Sequence, residues 1–488
     1  MKEVVACGHT LTAKAAVEAL NNGGNAFDAA LAACFASTTT EPMLTSLAGA
    51  GVGLLHSGHE TTCVDFLANF PKKGHTSDVK PIKKIVSFGD ETQVFYLGYG
   101  SIGVPGNLEG FLHIHKNYCS LELDQLLLPA IKYAKGHRLN KLQAFVNVIL
   151  EPFCLYTKES REIFAPNEKL LKEGDIIRNL KFANFLELLA SDEKAAMKLY
   201  LRTLTKQLKT KKTTLSVDDI TSYKVKEREP LEITYRRHQL SLTPPPSAGG
   251  LLIASGLKHI EPVALKNHNS IEHVDFLAQT MQYCDSERTA AFFKRLLYEK
   301  GFWKKFLKKP ERLGGTTHIS IIDKEGNAAG ITSSNGQGTG VMIGDTGIMH
   351  NNFAAEPDLM QYKKLYRPGE RITTMMCPTI IHKNGKLKAI LGSGGSNRIR
   401  SAIMQVISNL IDFSMSPQKA SNASRVHYEA GVLQLEYGIK KRVMDSLSKK
   451  YKVNKWTEKN LFFGGVHIAT SNGGGGDKRR GGTVIVMP

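Results

Sequence analysis

The sequence lacks any uninterrupted apolar run of the roughly 18 residues that a membrane-spanning helix requires. Its first residues, Met1 to Thr10, also contain no apolar segment long enough for a secretory signal peptide. We therefore expect no membrane partner. We also expect a cytoplasmic location, or a periplasmic or secreted one if a leader was removed from the chain.

Spaced cysteine pairs are also missing. The seven cysteines are scattered along the chain and none forms a Cys-x-x-Cys pair. An odd number without metal-ligand spacing disfavours both a disulfide framework and a zinc site. We expect free, mostly buried thiols, no bound metal and no cofactor.

Familiar catalytic signatures are absent as well. The sequence contains no G-x-S-x-G, P-loop or H-E-x-x-H motif. Residues 98–103, GYGSIG, match G-x-G-x-x-G, but they run into Val104-Pro105-Gly106 instead of opening a helix. A dinucleotide site needs that helix, because its N-terminus binds the pyrophosphate.

The chain carries a formal net charge of +19 at pH 7. Its lysine clusters, at residues 206–212, 294–312 and 440–455, alternate with leucines and aromatics as solvated helix faces do. No RNA-binding signature, helix-turn-helix or zinc finger accompanies them. We interpret the charge as a generally basic surface and expect no nucleic-acid partner.

With 488 residues and 42% hydrophobic content, the chain is long enough for two to four units or one large multilayer domain. Helix signals occupy residues 12–20 and 26–36, the second with Asn25 as N-cap and Asp28 three residues on. Residues 121–200 are mostly helical in pattern. The turn TPPPSAGG at residues 243–250 precedes another helix, and strands dominate from Thr316 to a helix at residues 401–413.

The stretch GGTTHISIIDKEGNAAGITSS, residues 314–334, predicts a β-hairpin. A three-residue loop, Lys324-Glu325-Gly326, with glycine third fits a type I turn with a G1 bulge, because that position needs a positive φ. Asp323 then faces Asn327. Counting outward in an antiparallel ladder pairs Thr316 with Ser334, which brings two hydroxyls together on one face. Turn chemistry alone leaves a one-residue slip open.

The hydroxyl pair has two interpretations. A Thr/Ser cross-strand hydrogen bond is common in sheets. The other interpretation is that Thr316 is a catalytic nucleophile. An internal threonine is a poor nucleophile, because no base lies beside its Oγ. Cleavage of the Gly315–Thr316 bond would give Thr316 an α-amine with a pKa of about 7.7 to 8.0, which accepts the hydroxyl proton at neutral pH. We expect His318, next but one along the strand, to be a packing residue that strand alternation turns away from Thr316.

A glycine-rich turn, LGSGGSNRIRS at residues 391–401, lies between a predicted strand at 387–391 and a predicted helix at 399–413. Gly394 and Gly395 leave backbone N–H groups uncovered, as an oxyanion hole requires. Such turns also occur for packing alone.

These stretches, in order, resemble the γ-glutamyltransferase family of N-terminal-nucleophile hydrolases. Other stretches that match this family are GGNAFDAALAACFA (23–36), EPMLTSLAGAGVG (41–53), VPGNLEGF (104–111), GTGVMIGDTGIMHNN, MMCPTI and DKRRGGTVIV. The resemblance implies an α+β fold, a four-layer αββα sandwich, and a zymogen that cleaves itself between Gly315 and Thr316. Fragments 1–315 and 316–488 then form a heterodimer in one intertwined domain.

The resemblance also implies site residues. Thr316 corresponds to the nucleophile, Ser334 to the hydroxyl that orients it, and Gly394 and Gly395 to the oxyanion glycines. Thr374 and Met375 fall where typical members carry two serines that hold the substrate carboxylate. Leu67 replaces the usual carboxylate-binding arginine, and Phe353 replaces a glutamine. Glu356 takes the place of an aspartate that receives the substrate amine.

Three functions stay open at this point. The first is an autoprocessing threonine amidohydrolase or acyltransferase that cleaves γ-glutamyl amides such as glutathione. The second is an amidase for a non-glutamyl acyl group, of the side-chain acylase type, because the arginine is missing. The third is an unprocessed, basic binding protein without catalysis.

Overall fold

The computed structural model describes residues 1–488 apart from residues 89–90, 287–288, 300, 303–315 and 361. In chain order, its strands are β1 (Val4–Cys7), β2 (Ala50–Ser57), β3 (Glu60–Phe66), β4 (Ile82–Phe88), β5 (Glu91–Leu97), β6 (His137–Arg138), β7 (Ile176–Ile177), β8 (Lys226–Arg228), β9 (Leu231–Tyr235), β10 (His238–Leu242), β11 (Thr317–Ile322), β12 (Ala328–Ser334), β13 (Thr379–Lys383), β14 (Lys386–Gly394), β15 (Val426–Glu429), β16 (Val432–Leu435), β17 (Lys452–Lys455), β18 (Gly465–Thr470), β19 (Gly473–Gly475) and β20 (Thr483–Val486).

The α-helices within the same described part of the chain are Thr10–Asn21, Ala26–Thr40, Asn107–Tyr118, Leu123–Lys135, Lys141–Ile149, Glu151–Cys154, Lys158–Phe164, Leu180–Ser191, Glu193–Thr210, Val217–Thr221, Ala248–Ile260, Ile271–Ser286, Ala290–Tyr298, Pro357–Met360, Arg398–Ile411, Pro417–Asn422 and Lys441–Leu447. Of these, no helix is both long enough and apolar enough to span a lipid bilayer.

Two antiparallel sheets form the centre of the fold. The larger has the strand order β20-β1-β11-β12-β2-β3-β8, and the smaller has the order β19-β18-β14-β13-β10-β9. Apolar side chains of both sheets fill the space between them, including Val52 and Ile322 from one sheet and Ile380 and Ile390 from the other. The two sheets are therefore stacked face to face.

Helices cover the two outer faces of the stacked sheets. Ile319 and Ile331 of the larger sheet pack in one buried cluster with residues of helices Ala26–Thr40 and Leu123–Lys135. The smaller sheet packs in a second cluster with helices Ala248–Ile260 and Arg398–Ile411. The arrangement is an αββα sandwich of four layers, which confirms the predicted fold class.

The helix Ala26–Thr40 illustrates how local signals determine an element. Asn25 accepts hydrogen bonds from the backbone N–H groups of Phe27 and Asp28, and Asp28 accepts one from Asn25, which completes a capping box. All 15 residues of the helix are buried. Because the helix is rich in alanine, neighbouring elements can pack closely against every side of it.

Strands from the whole length of the chain meet in the larger sheet. β11 begins one residue after Thr316 and lies between β1 from the N-terminus and β12, while β20 near the C-terminus pairs with β1. Cleavage of the chain before Thr316 leaves strands of both fragments in this sheet. The two fragments therefore share the layers of one sandwich. The division into fragments 1–315 and 316–488 stays a prediction.

Candidate active site

Thr316 lies immediately before β11, a central strand of the larger sheet, and is 3% exposed. Its backbone carbonyl accepts a hydrogen bond from Nη1 of Arg480 at 3.3 Å. Gly315, the other residue of the predicted cleavage site, lies outside the described residues. The predicted nucleophile is therefore buried, at the end of the stacked sheets where β11 begins.

The hairpin that follows Thr316 has the predicted register. Thr317 pairs with Ser333 and Ile322 with Ala328. The loop closes as expected, because Gly326 has a φ of +91° and the Asp323 N–H donates to the Asn327 carbonyl at 3.0 Å. Thr316 and Ser334 are the next positions beyond the paired residues.

Ser334 is completely buried at the end of β12. Its Oγ accepts a hydrogen bond from the Gly336 N–H at 2.9 Å. Within the sheet, Ser334 pairs with Ala50 of the neighbouring strand β2. The hydroxyl is thus fixed by the turn that follows the strand.

The glycine-rich turn lies directly against Thr316. A Cβ atom on Gly394 would lie 1.7 Å from the Thr316 carbonyl oxygen. Gly394 is the last residue of β14 and pairs with Gly465 of β18, so it lies in the strand instead of in the turn. Gly395 follows with a φ of +131°, and its missing Cβ leaves room for Gly464.

Sequence reasoning missed Ser396. This residue has a φ of +57°, a left-handed conformation that is uncommon for a residue with a side chain. Ser396 lines the same cavity as Thr316. The strained conformation follows from how β14 joins helix Arg398–Ile411, and a serine after two glycines gives no signal of it.

Arg480 was also missed, although it belongs to the DKRRGG stretch. Its side chain passes over Gly465, where a Cβ would lie 2.6 Å from the arginine side chain. The pKa of Arg480 is lowered to about 10 by burial and by the nearby positive charge of Arg398. Two guanidinium groups therefore lie close together beside the predicted nucleophile.

A buried ion cluster holds the segment that carries Arg480. Asp477 pairs with Arg425 at 2.5 Å and with Arg479 at 3.0 Å, and Arg479 also pairs with Glu436 at 2.5 Å. The two arginines hold the pKa of the Asp477 carboxyl well below its usual range, against the effect of burial. Such a network fixes geometry, since removing one partner leaves a buried charge uncompensated.

A cavity opens in front of Thr316. Its polar side contains Gly336, Gln337, Ser396, Arg398 and Arg480. A reacting carbonyl in this cavity has access to Thr316 and to the turn after β14. The remaining wall is apolar apart from Gln93.

The two residues expected to hold a substrate carboxylate lie elsewhere. The Thr374 Oγ1 accepts from the Met376 N–H at 3.1 Å, and the Thr374 carbonyl accepts from the Gly249 N–H at 3.1 Å. Met375 is completely buried among the apolar residues under the smaller sheet. Neither residue lines the Thr316 cavity, and their substrate contacts stay a prediction.

Leu67 and Phe353, the predicted replacements, are both core residues. Leu67 packs between the two sheets, and Phe353 packs in the cluster under the smaller sheet. Glu356 is closer to the cavity, because a Cβ on the cavity residue Gly336 would lie 3.5 Å from its Oε2. Of the predicted substrate-binding residues, Glu356 is therefore the one placed behind the cavity wall.

His318 is a buried structural residue. Its Nδ1 lies 2.7 Å from the Thr332 Oγ1, and its Nε2 lies 2.8 Å from the Ser320 Oγ. The expectation that strand alternation turns His318 away from Thr316 is wrong, because residues two positions apart share a face. The imidazole fills the space that Gly392 leaves between the sheets, so its role in packing agrees with the prediction.

Glu41 is a third residue that the sequence did not single out. Its Oε1 accepts a hydrogen bond from the Thr317 Oγ1 at 3.3 Å. Burial raises the pKa of the Glu41 carboxyl from 4.5 to about 7, although Thr317 and the positive charge of Arg480 act in the opposite direction. A protonatable group therefore lies beside the residue that follows Thr316.

Replacing Glu41 by glutamine is expected to change how stability depends on pH. Because the pKa is raised from 4.5 to about 7 on folding, the wild type loses stability as pH rises through this interval. The E41Q chain cannot ionise here. We expect it to match the wild type near pH 4.5 and to exceed it by about 1–3 kcal/mol near pH 8 in urea unfolding.

Glu325→Gln, a change in the exposed hairpin loop, is the control. An E41Q chain whose advantage is the same at both pH values contradicts this account of Glu41.

The four-layer fold, with a buried threonine just before a central strand, is that of the N-terminal-nucleophile hydrolases. A solved structure of cephalosporin acylase from Bacillus halodurans matches it with a TM-score of 0.84 over 99% of this chain and 95% of that chain, at 21% identity. At this identity the match supports the fold alone.

The chain belongs to the gamma-glutamyltranspeptidase family, whose model matches residues 12–487. It is 28% identical to the glutathione hydrolase proenzyme of Escherichia coli, covering 89% of this chain and 82% of that protein. It is 29% identical to the acylase ACY 1 proenzyme of Pseudomonas sp. strain V22, covering 91% and 86%. The resemblance inferred from the motifs is confirmed, and the chain is an enzyme of the hydrolase and acyltransferase type.

Proposed function

We propose that the chain cleaves itself between Gly315 and Thr316 and then acts as an N-terminal threonine amidohydrolase or acyltransferase. Fragments 1–315 and 316–488 stay together as an intertwined heterodimer, because strands of both lie in the larger sheet. The names of the relatives from Escherichia coli and Pseudomonas, both proenzymes, support this maturation. A small-molecule amide is the substrate.

Thr316 alone supplies both the nucleophile and the base of the reaction. The Thr316 Oγ attacks the amide carbonyl carbon while the α-amine of Thr316 takes the hydroxyl proton. The same amine gives the proton to the leaving amine as the C–N bond breaks. Water, or an amine acceptor, then resolves the acyl-enzyme ester. Backbone N–H groups of Gly394 and Gly395 stabilise the oxyanion, and Ser334 orients the Thr316 hydroxyl.

One observation carries this proposal. The carbonyl of Thr316 occupies the space that the missing side chain of Gly394 leaves, 1.7 Å from where its Cβ would lie. The glycine turn and the threonine thus touch through their backbones, and Thr316 and Ser396, which follows the two glycines, line one cavity. This contact places the proposed oxyanion glycines next to the proposed nucleophile.

Intact mass spectrometry combined with N-terminal sequencing of the purified protein tests the proposal. We expect two chains, the second beginning Thr-Thr-His-Ile. A correctly folded protein that stays a single uncut polypeptide under every condition tried would leave the hydroxyl without its base. That outcome favours a basic binding protein without catalysis.

The acyl group has two candidates. A γ-glutamyl group is supported by the glutathione hydrolase relatives and by Glu356, whose carboxylate lies behind Gly336. A non-glutamyl acyl group is supported by the acylase relative and by Leu67, an inter-sheet core residue at the position of the usual arginine. Glutathione left intact by the processed enzyme favours the second.

Replacing Ser334 by alanine is expected to slow the reaction without unfolding the chain. The substitution removes the acceptor of the Gly336 N–H and the hydroxyl next to Thr316. The unpaired donor lowers the stability of the fold by about 1–3 kcal/mol. Loss of the hydrogen bond that orients the Thr316 hydroxyl is expected to lower kcat/KM about tenfold to hundredfold, which corresponds to about 1.4–2.8 kcal/mol in the transition state.

The neighbouring Ser333→Ala is the matched control, since the Ser333 Oγ bonds to Thr45 at 2.8 Å. We expect it to stay within about threefold of the wild type, because it removes a hydroxyl that plays no part in the proposed reaction. Equal losses in both variants contradict the role of Ser334.

A further inference from the structure

The cavity in front of Thr316 has an apolar wall built from four separate segments. Phe95 comes from β5, and Leu142, Val146 and Ile149 come from helix Lys141–Ile149. Met43 comes from the loop after helix Ala26–Thr40, and Leu461 comes from the segment before β18. Val146 and Phe95 also belong to one buried apolar cluster. A ligand that enters this cavity therefore exchanges water for hydrocarbon over much of its length.

In the described part of the chain, the cavity wall offers nothing anionic to a substrate ammonium group. Among the described residues that line it, no side chain is a carboxylate. Glu356, the predicted amine acceptor, lies behind Gly336 instead of on the wall. An α-amino-acid acyl group would have to place its ammonium in an apolar cavity that also holds two arginines, which is electrostatically unfavourable.

Both guanidinium groups line the cavity, and that of Arg480 lies at its reacting end. Arg480 donates to the Thr316 carbonyl at 3.3 Å, and the Cζ of Arg398 lies 4.3 Å from the centroid of the Phe462 ring. Within the part of the chain that the structure describes, Nε of Arg480 has no hydrogen-bond partner. Planar guanidinium groups bind carboxylates strongly. A substrate carboxylate is therefore placed close to the scissile amide.

We propose that the substrates are N-acyl amino acids, with an apolar acyl chain against the wall of the cavity and the amino-acid carboxylate at Arg398 and Arg480. This proposal rests on the proposed function, since Thr316 has to be the nucleophile. The amide C–N bond is broken, water supplies one oxygen atom of the released fatty-acid carboxylate, and both of its protons end on the amino group of the released amino acid. The carboxylate lies on the amine side because an unbroken apolar chain fills the acyl side.

The test uses the purified, processed protein and a series of N-acylglycines from acetyl to decanoyl, with release of the acid product, measured by liquid chromatography and mass spectrometry, as the readout for every substrate. Each added methylene is expected to raise kcat/KM about threefold to fourfold until the chain fills the cavity. N-octanoylglycinamide, which lacks the carboxylate, is expected to react at least about tenfold more slowly than N-octanoylglycine. The monoamide of suberic acid has its carboxylate at the far end of the acyl chain. It tests the alternative that the carboxylate lies on the acyl side, and we expect it to be a poor substrate.

Two pairs of variants locate the effect. Ile149→Asn changes the cavity wall and is expected to flatten the dependence on chain length. Val148→Asn, a change at a residue of the same helix that is 62% exposed and outside the cavity, is expected to leave it unchanged. Arg398→Gln is expected to remove the preference for the acid over the amide, and Arg398→Lys to restore part of it.

The outcomes separate this inference from the proposed function. A processed enzyme that hydrolyses γ-glutamyl-p-nitroanilide but shows no dependence on acyl length, or that prefers the suberic monoamide, overturns the inference and leaves the proposed function standing. An uncut protein that is inactive on every amide overturns both. A steep dependence on acyl length that Ile149→Asn removes and Val148→Asn does not supports the proposal.

Discussion

Replacing Thr316 by alanine is expected to leave the purified protein as one uncut chain and to abolish its amidase activity. Both effects have the same cause, because the hydroxyl that attacks the substrate is also the group that attacks the preceding peptide bond. Loss of a catalytic nucleophile lowers kcat by several orders of magnitude, and we expect a fall of more than about 10⁴-fold. Intact mass spectrometry and an amide hydrolysis assay measure the two effects on one sample.

The neighbouring threonine provides the matched control. Thr317 is also buried, and its Oγ1 donates to Glu41. Thr317→Ala removes a hydroxyl of the same kind one residue away, and we expect normal processing with less than about a tenfold loss of activity. Thr316→Ser keeps a hydroxyl and is expected to retain both processing and measurable turnover. A processed Thr316→Ala chain assigns the cleavage to a different residue.

Replacing Gly394 by alanine is expected to have the second largest effect. The new Cβ would lie 1.7 Å from the Thr316 carbonyl oxygen and 2.7 Å from its carbon, closer than any real contact. Either β14 or the start of β11 has to move by more than 1 Å. A displacement of that size at reacting groups costs about 10²-fold in rate. We expect uncut precursor to accumulate and kcat/KM to fall at least that much.

Gly473→Ala is the control for the loss of a glycine. Gly473 lies in β19, its φ is not positive, and a Cβ there would meet no atom within 4 Å. We expect its processing and activity to be normal and its melting temperature to be unchanged. A Gly394→Ala protein that matures at the normal rate contradicts the close contact between β14 and Thr316.

The local parts of the fold could be predicted from the sequence. The hairpin register followed from a glycine in the third position of a short loop, because only residues 323–327 decide how that turn closes. The capping box at Asn25 depends on two side chains three residues apart. Motifs spread over the chain were specific enough to indicate the family. These signals lie within short windows of sequence, so no tertiary information was needed to interpret them.

Boundaries and faces were predicted less well. The helix expected at residues 401–413 spans Arg398–Ile411, and Gly394 ends a strand instead of lying in a turn. His318 was assigned to the wrong face of its strand. Thr374 and Met375 were placed by position in a motif; the structure shows their contacts with helix Ala248–Ile260, and their contact with substrate stays a prediction. Position in a motif does not state which neighbours a side chain meets.

The sequence by itself determined the family, the layered fold, the hairpin and the threonine at its start, since each follows from local patterns or from motifs in a fixed order. Only the tertiary structure placed Arg480 against Thr316 across 164 residues and Glu41 against Thr317 across 276 residues. It alone assembled the apolar wall of the cavity from four segments. Contacts of this kind depend on how sheets and helices stack, and the side chains that make them carry no local signal of their partners.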